Sequence, residues 1–414
     1  MSVLVQKYGG SSVADASCIH NAAQRAIAAR QAGKRVVVVV SAMGDETDRL
    51  IDLARQVAPN PSKREMDQLL ATGEQVSIAL MAMAIHHAGH EATSLTGGQI
   101  GLKTDPSFGR ARIRQITQRQ RLEALLDRGQ IVIVAGFQGV DEDFNITTLG
   151  RGGSDTTAVA LAAALSAERC EIYTDVEGIY TADPRIVPDA RRLAEITYDE
   201  MLELAALGAQ VMHGRSIELA SNYNVDLHVR SSFSDGPGTL IVKETRDMEG
   251  IVVRGAALRK NLARIALLGA PAGPAVAARV FAEVAAAALV VDDIIQNLHS
   301  GDGTMNLSFT VDAADIAAAR EAAQRLAREL GFRAAEIDQD VAKVSIVGVG
   351  MRSHTGVAAR MFEALHRAGI LIENISTSEI VVGCIIRRED GERALRAVHE
   401  AFGLGDAPAD PARS

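Results

Sequence analysis

The chain contains no tryptophan, and phenylalanine and tyrosine together make up only 3% of its 414 residues. Its cores must therefore be aliphatic and alanine-rich. Cysteine is scarce too: Cys18, Cys170 and Cys384 are odd in number, far apart and without metal-type spacing. That excludes a disulfide scaffold and points to reduced thiols in a cytosol. An excess of positive charge is also lacking. Lys and Arg number 43 against 52 Asp and Glu, a formal net charge of −9, which argues against nucleic acid or an anionic membrane as partner. No apolar run reaches about 18 residues without a charge, so no membrane span is expected. The N-terminus begins directly as a strand, with no basic and then apolar leader.

What is present is ample for folding. The hydrophobic content is 47%, and the length predicts two to four domains at roughly 100–200 residues each. The stretch Thr148-Leu149-Gly150-Arg151-Gly152-Gly153-Ser154-Asp155-Thr156-Thr157 organises the first part. It follows the apolar run 130–136 and leads into the helical composition of 158–165. Glycines let backbone N–H groups approach a ligand, and a helix start presents free donors and partial positive charge. Together they suit a phosphate or carboxylate, and Arg151 adds a planar fork that can grip a carboxylate. The alternative is a plain glycine turn with Asp155 capping a buried helix.

A second junction of this kind opens the chain. The strand Val3-Leu4-Val5-Gln6 runs into Lys7-Tyr8-Gly9-Gly10-Ser11-Ser12, and a helix follows from Asp15 to about Gln31. Lys7 can lie over phosphate oxygens held by backbone N–H groups; the other reading is an ordinary tight turn with an exposed lysine. Residues 34–41 read as a central parallel strand, apolar on both faces. It ends in the small polar segment Ser41–Asp48, where open α/β sheets place ligands. Residues 65–87 predict a long helix, in which Glu74 is either a solvated charge or a receiver for a substrate ammonium. Residues 91–95 predict a strand. Residues 110–128 predict a basic helix with a solvated or subunit-facing surface. After the strand 171–175, the loop through Tyr180, Asp183 and Arg185 can grip a nucleotide, with Tyr180 against a base and Arg185 near phosphate. Residues 198–222 predict a helix, and 225–230 and 238–242 closing strands.

The remainder carries an internal repeat at an offset of 81 residues. Val276-Ala277-Ala278-Arg279 with Phe281 recurs as Val357-Ala358-Ala359-Arg360 with Phe362, and Leu289–Ile294 recurs as Ile370–Ile375. Each copy reads strand, loop, helix, strand, which fits a ferredoxin-like βαββαβ unit.

In combination, these motifs resemble the aspartate kinase (aspartokinase) family, amino-acid kinases with paired C-terminal ACT domains. The resemblance is carried by Lys7–Ser12, Gly150–Asp155, the Thr174–Arg185 loop and the doubled tail, in order and in spacing. It implies an α/β fold: an amino-acid kinase three-layer sandwich with a mainly parallel sheet over residues 1–245, then two ferredoxin-like βαββαβ ACT domains. The first would span 264–337 and the second 246–263 plus 338–404, with 405–414 a flexible tail.

The activity implied is ATP-dependent phosphorylation of the L-aspartate β-carboxylate to 4-phospho-L-aspartate, the first step toward lysine, threonine and methionine. ATP and Mg2+ are the implied cofactors, with no protein side chain assigned to the metal. Lys7 and Asp155 would be catalytic. Ser41, Thr47, Glu74, Arg151 and Gly152 would bind the substrate. Lys7, Tyr8, Gly9, Gly10, Ser11, Thr174, Asp175, Tyr180, Asp183, Arg185 and Gln210 would bind ATP. Effectors such as lysine or threonine would meet Asp293, Ile294, Gln296, Asn297, Asn374, Ile375 and Thr377. A cytoplasmic homodimer or larger assembly is implied, and a shorter ACT-only chain started at Met248, as in some relatives, is a further expectation.

Two departures from the family pattern stand out. Gln210 occupies a place where the family commonly has a lysine in the nucleotide pocket. The family's Asp-Lys-Pro-Gly loop is here Ala272-Gly273-Pro274-Ala275, without the acid that meets an effector ammonium, so weak or altered feedback is expected. Two competing readings are another carboxylate or carbamate kinase and a non-catalytic amino-acid sensor.

Overall fold

A computed structural model describes residues 1–208, 211–245, 252–299, 301 and 303–405. It divides into two compact units, residues 1–180 with 192–250, and residues 181–191 with 251–414.

The first unit runs β1 (Val3–Tyr8), α1 (Ala16–Gln31), β2 (Arg35–Val40), α2 (Glu46–Val57), α3 (Lys63–His87), β3 (Ala92–Leu95), β4 (Leu102–Thr104), β5 (Ile113–Ile116), α4 (Arg119–Asp127), β6 (Ile131–Ala135), β7 (Gln138–Val140), β8 (Ile146–Thr148), α5 (Gly153–Ala164), β9 (Arg169–Thr174), β10 (Glu195–Thr197), α6 (Tyr198–Ala206), α7 (Gly214–Tyr223), β11 (Leu227–Ser231) and β12 (Thr239–Val242). Eight strands form one sheet in the order β10-β12-β11-β9-β1-β2-β6-β3. Its pairings are parallel except β11 with β12. The central strands are valine- and isoleucine-rich and buried throughout, as a sheet covered on both faces requires.

One face packs α1 and α3 on Tyr8, Val36, Val38, Val40, Ile131, Ile133 and Tyr173. Successive strand residues point to opposite faces, so Lys7 turns to the other face, where α5 lies on β1, β2 and β9. Three layers result. α3 is long and apolar enough to cross a membrane by length and composition, although Glu74 places a charge within its apolar stretch. Its Ile78, Met81, Ala82, Ala84 and Ile85 are core residues of this sandwich.

Three local readings change. Residues 113–116 form β5 instead of the start of a helix, and they pair with β4 in a small mixed sheet β5-β4-β7-β8 that the sequence pattern did not reveal. Strands of three or four residues are too short for their periodicity to show. The basic residues of this region, Arg110, Arg112, Arg114, Arg119, Arg121 and Arg128, are all exposed. The helix expected over 198–222 breaks into α6 and α7, because Gly208 takes φ 114°, a conformation that ends a helix. The segment 181–191 groups with the second unit.

The second unit continues with β13 (Gly255–Arg259), β14 (Leu262–Pro271), α8 (Pro274–Ala286), β15 (Val291–His299), β16 (Thr304–Asp312), α9 (Ile316–Leu330), β17 (Ala334–Asp338), β18 (Val341–Val347), α10 (Val357–Arg367), β19 (Asn374–Thr377), β20 (Val381–Arg387) and α11 (Gly391–Ala401). It holds two four-stranded sheets, β15-β16-β14-β17 and β13-β18-β20-β19. The first is a complete βαββαβ unit in chain order. The second borrows β13, which pairs antiparallel with β18 from the far side of the first.

Candidate active site

Two glycine-lined turns meet at the carboxyl ends of β1 and β8. Lys7 is 9% exposed, and its Nζ stands 2.7 Å from Asp155 Oδ1. Asp155 lies in the first turn of α5, whose N-cap is Gly152 at φ 68°, without a side-chain cap. Asp155 therefore does not cap the helix; it faces the strand lysine. Gly9 lies against the same ammonium: a Cβ there would come 3.4 Å from Lys7 Nζ. The Gly9 amide donates to the Tyr173 carbonyl at 3.3 Å, which removes it from the donors open to a phosphate. At Gly10 a Cβ would sit 3.0 Å from the Gly44 carbonyl and 3.1 Å from that of Ala42, so the turn after β2 closes over this loop. The Tyr8 ring belongs elsewhere. It is fully buried on the α1 face, stacked on Tyr173 with centroids 4.8 Å apart. Strand alternation that aims Lys7 at α5 aims Tyr8 away, leaving only its backbone at the loop.

Glu74 is 2% exposed. Its Oε1 accepts from the Ala42 amide at 3.1 Å, and Oε2 has no partner among the described residues. Burial pushes its pKa up to about 8. A buried carboxylate with one open oxygen is a receiver for a cation. Gly73 makes this closeness possible, since a Cβ there would lie 2.8 Å from Ala42 Cβ. Ser41, whose amide donates to the Tyr8 carbonyl at 3.1 Å, lies on the β2–α2 connection and Thr47 in the first turn of α2, both half-buried.

Arg151 is exposed at the tip of the other turn. Gly150 takes φ 77°. At Gly152 a Cβ would fall 2.2 Å from His213 Cβ, so only glycine fits.

On the neighbouring strand end, Thr174 Oγ1 donates to Asp175 Oδ1 at 3.1 Å. Tyr180 is half-buried and pairs through its backbone with Arg192; burial raises its phenol pKa. Asp183 and Arg185 belong to the second unit, where they form an ion pair of 2.7 Å. The Arg185 hydrogen bond lowers the Asp183 pKa. Gln210 lies outside the described residues.

In the second unit, Asp293 is held by Lys343 at 2.9 Å, both side chains being buried. Ile294, Gln296, Ile375 and Thr377 are exposed. Asn297 and Asn374 line a cleft of about 370 Å3 with Arg264, Glu336, Asp338 and Glu373. Ala272 offers only its backbone, whose amide donates to the Gly303 carbonyl at 2.8 Å.

Residues 2–231 match the model of the Amino acid kinase family, and residues 344–402 that of the ACT domain. The aspartokinase of Mycolicibacterium smegmatis is 52% identical over 409 residues, covering 98% of this chain and 97% of that one. The chain belongs to the aspartokinase family. It is thus a kinase of the transferase class. Among solved structures, E. coli aspartokinase III in complex with aspartate and ADP has a TM-score of 0.79 at 27% identity, covering 96% of this chain and 99% of that one. The same enzyme with lysine and aspartate gives 0.75 at 27%, covering 97% and 99%.

Three side chains of this aspartokinase-family site escaped the motif reading: Asp67, Gln138 and Arg215. Gln138 Nε2 donates to the Ala71 carbonyl at 2.8 Å and ties α3 to β7. Only one faint signal preceded them: Asp67 sits seven residues before Glu74, two helical turns along the same face.

Proposed function

We propose that the chain transfers the γ-phosphoryl group of ATP to the β-carboxylate of L-aspartate, giving 4-phospho-L-aspartate and ADP. The observation that carries this reading is the buried Lys7–Asp155 pair between two glycine turns, with the half-satisfied Glu74 of α3 held against the β2–α2 connection at Ala42. A β-carboxylate, pKa ~3.9, is ionised at neutral pH and needs no general base. The obstacle is repulsion between an anion and a polyanion, so positioning and charge neutralisation carry the rate. Lys7 neutralises the transferring phosphoryl group, and Asp155 orients Lys7. Backbone at Gly10 and Ser11 approaches the phosphates. Arg151, with Gly152, takes the substrate α-carboxylate; Glu74 takes its ammonium, with Ser41 and Thr47 beside it. Thr174, Asp175 and Tyr180 form the nucleotide side. The carboxylate oxygen bonds to phosphorus as the bond to the β-phosphate oxygen breaks, and ADP leaves.

Mg2+ neutralises phosphate charge when bound. Among the described residues no group of three His, Cys, Asp or Glu could hold an ion, and no protein side chain is assigned to it.

The domains are assigned as a kinase domain over 1–245 and ACT domains over 264–337 and 246–263 plus 338–404, the latter pair binding amino-acid effectors. The enzyme is cytoplasmic and catalyses the first step toward lysine, threonine and methionine. β15 and β19 are sheet edges with exposed Ile294, Leu298 and Ile375, and unpaired edges of this kind favour assembly with a second copy. A shorter chain begun at Met248, outside the described residues, is part of the proposal; one species by mass spectrometry of native material would remove it.

The test of the activity is direct. Purified enzyme with ATP, Mg2+ and L-aspartate should release ADP and, with hydroxylamine, trap the acyl phosphate as a hydroxamate. A panel including glutamate, acetylglutamate and carbamate should be inactive. No hydroxamate from L-aspartate refutes the proposal.

A further inference from the structure

We propose that Asp67 and Arg215 are positioning residues that brace the Arg151 turn from two sides and thereby aim its guanidinium at the substrate carboxylate. This rests on the reading of Arg151 given above. Asp67, on α3, is 1% exposed. Its Oδ2 accepts the Thr148 amide at 2.7 Å and the Gly109 amide at 2.9 Å, while Oδ1 accepts the Thr148 hydroxyl at 2.8 Å. Arg215, in the first turn of α7, donates Nη1 to the Leu149 carbonyl and Nη2 to the Ala111 carbonyl, both at 2.8 Å.

The two residues just ahead of the turn are thus gripped by charged side chains from two different helices. Each helix also grips the segment 109–111, which closes back on Thr148 through the Ala111 amide at 2.9 Å. Gly150 lies against that segment, since its missing Cβ would be 3.0 Å from the Gly109 carbonyl. Gly152 lies against His213, which precedes α7. The turn therefore runs in a slot walled by the segment 109–111, which both braces hold, and by His213 at the start of α7. Among its residues 150–153 only Arg151 has a side chain, so the path of the slot sets where that side chain starts. Asp67 and Glu74 share one face of α3, so one rigid helix carries both a brace of the carboxylate side and the ammonium receiver. Misplacing a binding group by an ångström is costly to substrate binding.

Kinetics of the full chain with Arg151→Ala, Arg215→Met, Asp67→Asn and the double variant Arg151→Ala/Arg215→Met test this. Arg215→Met should raise KM for L-aspartate tenfold or more and leave KM for ATP within twofold. Arg215→Lys should recover part of the loss. The double variant should be no worse than Arg151→Ala alone, because a brace has nothing to aim once its target is gone. Multiplying effects in the double variant, or equal rises in both KM values, would overturn the proposal as a general loss of structure. If Arg215→Met lacks a cooperative melt, Asp67→Asn combined with Arg151→Ala is judged by the same criterion. An L-aspartate KM unmoved by Arg151→Ala, with turnover intact, overturns the Arg151 assignment itself and the brace with it.

Discussion

Lys7 and Asp155 are 148 positions apart in sequence, and their charged atoms are 2.7 Å apart. Both side chains are 11% exposed, so neither charge has water to replace its partner. Lys7→Ala should lower kcat by two orders of magnitude or more. Breaking one side of such a pair costs about 3–5 kcal/mol, whereas removing both with apolar residues costs much less. Urea denaturation of Lys7→Met, Asp155→Leu and the double variant should show the double variant as more stable than either single one.

Glu74 should give the activity and the stability of the enzyme opposite pH trends. Burial holds its folded pKa near 8, above the ordinary carboxyl value that applies in the unfolded chain. The folded state therefore keeps a proton that the unfolded state has lost. The stabilising contribution is full below about pH 4 and falls as pH rises to about 8. Glu74→Gln should flatten this decline, read as melting temperature against pH for the ligand-free protein. An ammonium ligand needs the ionised form, so L-aspartate should bind more weakly below pH 8 and should release a proton on binding near pH 7. Calorimetry in two buffers of different ionisation enthalpy measures that proton.

Gly152→Ala should be severe for a reason visible at one atom. The new Cβ would fall 2.2 Å from His213 Cβ at φ 68°, so it meets both a close contact and a left-handed backbone. Strain of this type costs about 1–3 kcal/mol before any overlap is counted. A melting temperature several degrees lower and a raised KM for L-aspartate are expected; Gly33→Ala, with nothing within 4 Å, should show the backbone cost alone.

Feedback should be weak where it depends on the loop at Ala272. Titration of the enzyme with lysine, threonine and their mixture should show little inhibition at sub-millimolar concentrations, and Ala272→Asp should strengthen it. Strong concerted inhibition of the unaltered enzyme contradicts this.

Legible in the order of residues alone were the mainly parallel sheet, the glycine turns and the doubled βαββαβ tail. Those features are written in local periodicity and in residues whose conformational demands are their own: valine runs buried on both faces, glycines where a Cβ cannot stand, a repeat at constant offset. The sequence also nominated Lys7, Arg151, Glu74 and Asp155. What it could not set was their partners. Asp155 reads equally as a helix cap or as a lysine's counter-ion until α5 is laid on β1. Tyr8 and Lys7 are adjacent in the motif, yet strand alternation sends one into the core and the other to the site. Glu74 becomes a shifted carboxyl only because Gly73 lets α3 approach Ala42. Asp67 and Arg215 carry no motif at all, since their hydrogen bonds go to backbone groups, which every residue possesses and no sequence pattern marks. Short strands such as β5 and β10 were invisible for a related reason: their stability comes from pairing with distant segments, and only the tertiary structure decides which segments those are.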